Sequence, residues 1–265
     1  MDSIPSAFAA TISNLFQEAG RGWLERLPAL VTHCEVLWSS RVMAPFEPMS
    51  YNYVAPAVRS DRTVVILKLG VPHPELTSEI EALSLYAGRR CARLLEVDRD
   101  RGALLLERLR PGLSLQSVAD DDEATRIAAG VMRRLWRPAP LDHTFPTAGR
   151  WARGLVRMRQ HFEGGTGPLP KSLVDKAEEL SRELLCSMDE PALLHGDLHH
   201  ENILSAERQP WLAIDPKGVV VEPAYETGAL LRNLWPRRLA QPQPAQAIAQ
   251  RADVLAEELG FDRVR

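Results

Sequence analysis

The run Leu193-Leu194-His195-Gly196-Asp197-Leu198-His199-His200-Glu201-Asn202-Ile203-Leu204 decides how the rest of the chain is read. An apolar lead-in meets His-Gly-Asp, an asparagine follows five residues after the aspartate, and the stretch leaves on an apolar pair. A strand-like run, Trp211-Leu212-Ala213-Ile214, then delivers a second acid, Asp215. A carboxylate at 197 can accept a hydrogen bond from a hydroxyl. The side-chain oxygens of Asn202 and Asp215 are hard donors of the kind that hold Mg²⁺.

One positioned carboxylate, followed by an amide and a second carboxylate on the next strand, suits phosphoryl transfer under metal control. That chemistry asks the protein for positioning and charge neutralisation more than for covalent help. Upstream lies a cation that fits the same purpose. Residues 50–58 are strand-like, Arg59-Ser60-Asp61-Arg62 is a polar turn, and Thr63 to Leu69 is β-branched and apolar, which together predict a hairpin. Lys68 sits at the end of that second strand. A lysine turned inward there needs an anionic partner, and a nucleotide phosphate together with Glu79 or Glu81 of the following helix could share it.

The remaining pattern predicts a long N-terminal helical region (apolar stripes over 6–19 and from Trp23 to Trp38, with Pro28 inside) and a helix from Glu75 to Tyr86 ended by Gly88. Two short strands follow, Ala92–Val97 and Ala103–Leu109, and Pro111-Gly112 breaks the chain. The C-terminal part reads as mostly helical. One helix runs through Ala124, Ile127, Ala128, Val131 and Leu135 behind the acids Asp120 to Glu123, which suit a helix N-terminus. Further helices lie over 150–162 and around Leu173 to Leu184. The run Gly164-Gly165-Thr166-Gly167 has no preceding strand and no GK[ST] ending, so it is a linker rather than a phosphate loop. A sheet-rich first part and a helical second part predict an α+β chain of two lobes.

Composition narrows the class. The 265 residues are 45% hydrophobic and 25% charged, with a net charge of −3, which is ordinary for a globular protein. No basic field draws the chain to nucleic acid, and no apolar run approaches the ~18–20 residues of a membrane span. The N-terminus has no basic segment leading into an apolar core. Cys34, Cys91 and Cys186 are far apart and show no metal spacing. The expectation is a cytoplasmic protein acting on a small molecule, with no nucleic-acid or membrane partner, as a monomer or weak dimer.

His195-Gly196-Asp197 with Asn202, followed by Ile214-Asp215-Pro216, resembles the aminoglycoside phosphotransferase family, which has a protein-kinase-like fold. The runs Val65 to Leu69, Leu104 to Leu109 with Pro111-Gly112, and Ile214 to Gly218 leading to Glu222 resemble its streptomycin 6-kinase and hydroxyurea phosphotransferase branch. The likeness extends from about Trp23 to near the C-terminus. It implies a small sheet-rich N-lobe over 1–107 and a mostly helical C-lobe over 108–265, with ATP and Mg²⁺ as cofactors. By the same resemblance Asp197 matches the catalytic aspartate, and Asn202 and Asp215 match the metal ligands. Lys68 matches the lysine on the α- and β-phosphates. Glu79 is the better match to its helix partner because Leu83 follows four residues later; Glu81 stays open. The backbone from Glu107 to Leu109 matches the hinge that holds the adenine, and Ser50 and Asn52 fall where the family has its nucleotide-covering loop, although no glycine-rich signature is present. The family continues with further helices after the point matching Phe261 to Arg265, on the acceptor side.

Aminoglycosides are polycations whose sites are lined with carboxylates, so Glu222 and Glu226 are the candidate acceptor-binding residues, with Asp120 to Glu123 behind them. Lys217 and Arg232 leave room for a less cationic acceptor. The expected activity is transfer of the ATP γ-phosphate to a hydroxyl of a streptomycin-like aminoglycoside. Rival readings are a metabolic small-molecule kinase of the same fold, a nucleotide-binding pseudoenzyme, and a metallohydrolase built on His195, Asp197, His199 and His200. His195 is expected to be structural.

Overall fold

The computed structural model describes residues 4–233 and 244–263. Its residues fall into two compact units, Met1–Ser117 with Glu201–Asp215, and Val118–His200 with Pro216–Arg265. The motif is divided between them: His195 to His200 belongs to the second unit, and Glu201 to Asp215 to the first.

In the first unit the N-terminal helix α1 (Ser6–Leu37) bends at Gln17, where φ is 53°. The bend brings the backbone so close that a Cβ on Gly20 would lie 2.5 Å from the Ile12 carbonyl oxygen, so only glycine fits there. One face of α1, carrying Phe8, Ile12, Trp23, Leu27, Val31 and Cys34, packs on a five-stranded antiparallel sheet. The strands are β1 (Ser40–Val42), β2 (Tyr53–Arg59), β3 (Val64–Leu69), β4 (Leu94–Asp98) and β5 (Ala103–Glu107), in the order β1-β2-β3-β5-β4. Alternation along the strands turns Tyr53, Ala55 and Ala57, then Val65, Leu67 and Leu69, then Ala103 and Leu105, into that core. Lys68 is out of phase with Leu67 and Leu69, and therefore belongs to the opposite face of the sheet. Helix α2 (Pro74–Tyr86) ends at Tyr86, as expected, with Ala87 in the left-handed conformation just before Gly88.

The sequence pattern missed β1 and, further along this unit, two more strands. Pro111-Gly112 does not interrupt the chain but opens β6 (Pro111–Ser114), which pairs antiparallel with β9 (Ile203–Ala206). Proline is tolerated there because it begins an edge strand and owes no ladder donor. The hairpin β9–β10 (Trp211–Ala213) completes a three-stranded sheet of order β10-β9-β6.

The second unit is more helical, with α3 (Asp121–Leu135), α4 (Ala148–His161), α5 (Lys171–Cys186), α6 (Thr227–Arg232) and α7 (Pro244–Leu259). The acidic run behaves as expected: Asp120 caps α3 by accepting from the Glu123 amide at 2.9 Å. The fully buried Arg251 of α7 takes both oxygens of Asp121 and also donates to the Leu230 carbonyl. A small sheet of order β11-β8-β7, from Val219–Val221, Ala192–Leu194 and Arg137–Pro138, carries the entry to the motif. Among the described residues no helix is long and apolar enough to cross a membrane.

Candidate functional site

In the first unit Lys68 is only 2% exposed, on the sheet face that meets α2. Its ammonium lies 2.6 Å from Glu79 Oε1 and 3.2 Å from Asp215 Oδ1. Burial works against the charged amine, but the Asp215 and Glu79 carboxylates outweigh it and hold the lysine pKa above its ordinary value. The open choice between Glu79 and Glu81 is thereby decided: Glu79 is on the buried side of α2, and Glu81 is not among its buried residues. Asp215 keeps 44% of its side chain exposed, so the ammonium does not cover it.

The β9–β10 hairpin sets the position of the two candidate metal ligands. Ile203 pairs with Ala213, and the Ile214 amide donates to the Asn202 carbonyl at 2.9 Å. The ladder therefore runs to the last residues before Asn202 and Asp215 and brings the two to one end of the hairpin. Asp215 holds a positive φ of 55°, a strained conformation of the kind that collects at functional sites. An amide oxygen and one carboxylate form a small hard-oxygen donor set. It fits Mg²⁺, which keeps waters and takes phosphate oxygens alongside one or two protein ligands.

Glu107, at the end of β5, is held by Arg208, a residue the sequence reading did not single out. Arg208 grips both Glu107 oxygens at 2.8 Å and donates to the Gly88 and Cys91 carbonyls at 2.8 and 2.7 Å. Burial opposes ionisation of Glu107, but Arg208 and the Arg93 amide hold its carboxyl below the usual range. The segment toward Leu109 thus starts from a rigid anchor, and Leu109 itself is buried. Asn52 lies beside Gly70, where a Cβ would meet its Oδ1 at 2.5 Å; Ser50 lies just outside β2.

In the second unit, β8 pairs with β11 through Leu194 and Val219, and the chain then turns through Gly196. There φ is +85°, and a Cβ would lie 2.8 Å from Val219 Cγ1. Beneath the turn is Glu226, 1% exposed. Its Oε2 accepts from the His195 amide at 2.7 Å and its Oε1 from the Gly196 amide at 2.9 Å, and the Leu198 amide adds to the cluster. Burial pushes this carboxyl up to about 7 against the pull of those amides. Glu222 is buried as well, with Oε2 accepting from the Asp189 amide at 3.1 Å. The expectation that these two acids receive a cationic acceptor is corrected: both are turned into the protein, and Glu226 is the foundation of the motif loop.

His195 is fully buried: its carbonyl accepts from the Lys217 and Gly218 amides, and its Nδ1 accepts from the Asp197 amide at 3.2 Å. That last bond requires Nδ1 to be unprotonated. Asp197 is left with its side chain 21% exposed and Oδ1 receiving a hydrogen bond from Arg232 at 2.9 Å. Among the described residues no three His, Cys, Asp or Glu side chains gather as a metal group, so the metallohydrolase cluster is not assembled.

The sequence profile described as aminoglycoside/hydroxyurea antibiotic resistance kinase matches residues 43–265. A streptomycin 6-kinase of Streptomyces glaucescens is 33% identical over 99% of this chain and 85% of its own. A hydroxyurea phosphotransferase of Kitasatospora aureofaciens is 36% identical over 93% of this chain and 71% of its own. Among solved structures, the choline kinase LicA of Streptococcus pneumoniae superposes with a TM-score of 0.60 at 14% identity, over 89% of this chain and 80% of that one; it is also known in complex with AMP. The architecture is the protein-kinase-like fold, and with that fold, the buried Lys68–Glu79 pair and relatives that match nearly the whole of this chain, the chain belongs to the aminoglycoside/hydroxyurea antibiotic resistance kinase family.

Proposed function

We propose that the protein is an ATP-dependent O-phosphotransferase that moves the γ-phosphate to a hydroxyl of a streptomycin-like aminoglycoside. The observation that carries this reading is the buried Lys68 ammonium between Glu79 and the partly open Asp215. An ammonium so nearly desolvated persists only where anions meet it, and the α- and β-phosphates of a nucleotide are anions of that kind. Residues 1–107 would carry the nucleotide and residues 108–265 the motif and the acceptor. The Glu107 to Leu109 backbone takes the adenine, and Ser50 and Asn52 belong to the strand entry that covers the phosphates. Asn202 and Asp215 would hold Mg²⁺, which when bound neutralises charge developing on the phosphate oxygens.

Asp197 accepts the hydrogen bond of the acceptor hydroxyl and aims its oxygen at the γ-phosphorus. The new oxygen–phosphorus bond forms as the β–γ bridging bond breaks, ADP leaves, and the hydroxyl proton passes through Asp197 to solvent. Glu226 takes no part in contacting the acceptor; it holds the loop that presents Asp197. Cys34 and Cys91 are buried free thiols and Cys186 is an exposed one, which accords with a cytoplasmic enzyme; we take it to act as a monomer or weak dimer.

ADP release is measured with ATP and Mg²⁺ over a panel of aminoglycosides, hydroxyurea and small amino-alcohols, with Asp197→Ala as control. Streptomycin turnover that requires Mg²⁺, stops with EDTA and is lost in the variant is the expected result. Turnover of amino-alcohols alone overturns the acceptor assignment. Nucleotide binding without product from any acceptor makes the chain a pseudoenzyme.

A further inference from the structure

Among the described residues of the second unit, the acids first in line for a cationic acceptor are already engaged. Within the second unit, Glu222 and Glu226 are buried and occupied by backbone amides. Asp121 and Asp122 are engaged by Arg251 and Gln250. A cation reaches the Asp197 carboxylate: Arg232, at the last position of α6, has Nη2 2.9 Å from Oδ1. The ring of Tyr225, just before α6, lies 5.6 Å from that of the exposed Trp151.

The Arg232 side chain is 60% exposed. Pairs so open to water contribute little to stability, so an incoming ligand can displace or share this one at little cost. A guanidinium beside a carboxylate can read a hydroxyl at two points: Asp197 accepts the hydroxyl hydrogen bond while Arg232 donates to a neutral oxygen next to it. The same guanidinium repels a cationic group placed there.

Resting on the kinase reading of Asp197, we propose that Arg232 is a specificity-determining residue that favours acceptors whose hydroxyl has a neutral hydrogen-bond acceptor beside it, and disfavours acceptors with a cation at that place. Hydroxyurea, whose hydroxyl is near a carbonyl, and streptomycin, a polycation, are probes on either side of this rule.

The test compares wild type, Arg232→Gln and Arg232→Lys by the ratio of KM for streptomycin to KM for hydroxyurea, with calorimetric titration of streptomycin alongside. Removing one like charge at contact distance in a water-exposed site corresponds to about fivefold. The expected result is that Arg232→Gln shifts the ratio toward streptomycin by about that factor or more and tightens its binding. Arg232→Lys retains most of the wild-type ratio, and the gain shrinks as salt is raised. A ratio unmoved in Arg232→Gln, or a fall in kcat for both acceptors with neither KM changed, overturns the proposal. If wild type phosphorylates neither acceptor, the kinase assignment fails, and the titration still decides the role of Arg232: equal streptomycin affinity in wild type and Arg232→Gln overturns it.

Discussion

Glu226 makes the sharpest prediction, because its burial ties stability to pH. The carboxyl is 1% exposed and its two oxygens serve the His195 and Gly196 amides. Its ordinary value of 4.5 is pushed up to about 7 in the fold. The folded protein therefore binds a proton between about pH 4.5 and 7 that the unfolded chain has released. Linkage then requires stability to fall as pH rises through that window, and to level off above the folded value. At about 1.4 kcal/mol per pH unit, the fall attributable to this one group is about 3 kcal/mol. Glu226→Gln keeps the shape, cannot titrate, and sets one NH₂ against a backbone amide. Leaving that donor unsatisfied costs about 1–3 kcal/mol. Urea denaturation of wild type and Glu226→Gln from pH 4.5 to 8 reads the difference. At low pH the wild type should be the more stable of the two, and its advantage should shrink by about 3 kcal/mol by pH 8. A difference that stays constant across the range refutes the reasoning, because it would mean that Glu226 does not change its protonation on folding.

Other perturbations test separate parts of the site. Lys68→Met leaves Glu79 buried without its cation and should lower stability by about 3–5 kcal/mol; a loss below about 1 kcal/mol in the same denaturation assay would show that the pair is not desolvated. Gly196→Ala must place a Cβ against Val219 Cγ1 at 2.8 Å with φ at +85°, so a cost of about 1–3 kcal/mol with loss of turnover is expected, and unchanged kinetics would count against a rigid loop. Arg208→Ala frees Glu107, and KM for ATP should rise about tenfold with a smaller change in kcat; Arg208→Lys should not restore it, since a single ammonium cannot reproduce the planar fork.

Much of this was legible before any coordinates. The stretch from His195 to Asn202, with Asp215 after it, carried its chemistry in residue types and spacing alone, because phosphoryl transfer needs a few hard oxygen donors at short separations along one hairpin. Strand alternation around Lys68 identified a lysine that needed an anion, and the acids before α3 announced a helix start. The strand at Pro111 escaped because its partner, β9, is some ninety residues away, and local pattern does not report such pairing.

Sequence by itself determined the family and the fold class, and named candidates for the site. Tertiary structure alone decided how the charges are used. A glutamate in a sequence does not say whether it points to solvent or inward; burial and backbone amides made Glu226 the support of the motif loop instead of a ligand for the acceptor. Helix phase against the sheet selected Glu79 over Glu81. The contacts of Arg208 with Glu107 and of Arg232 with Asp197 join residues 101 and 35 positions apart. Such pairs exist only once the fold has brought them together.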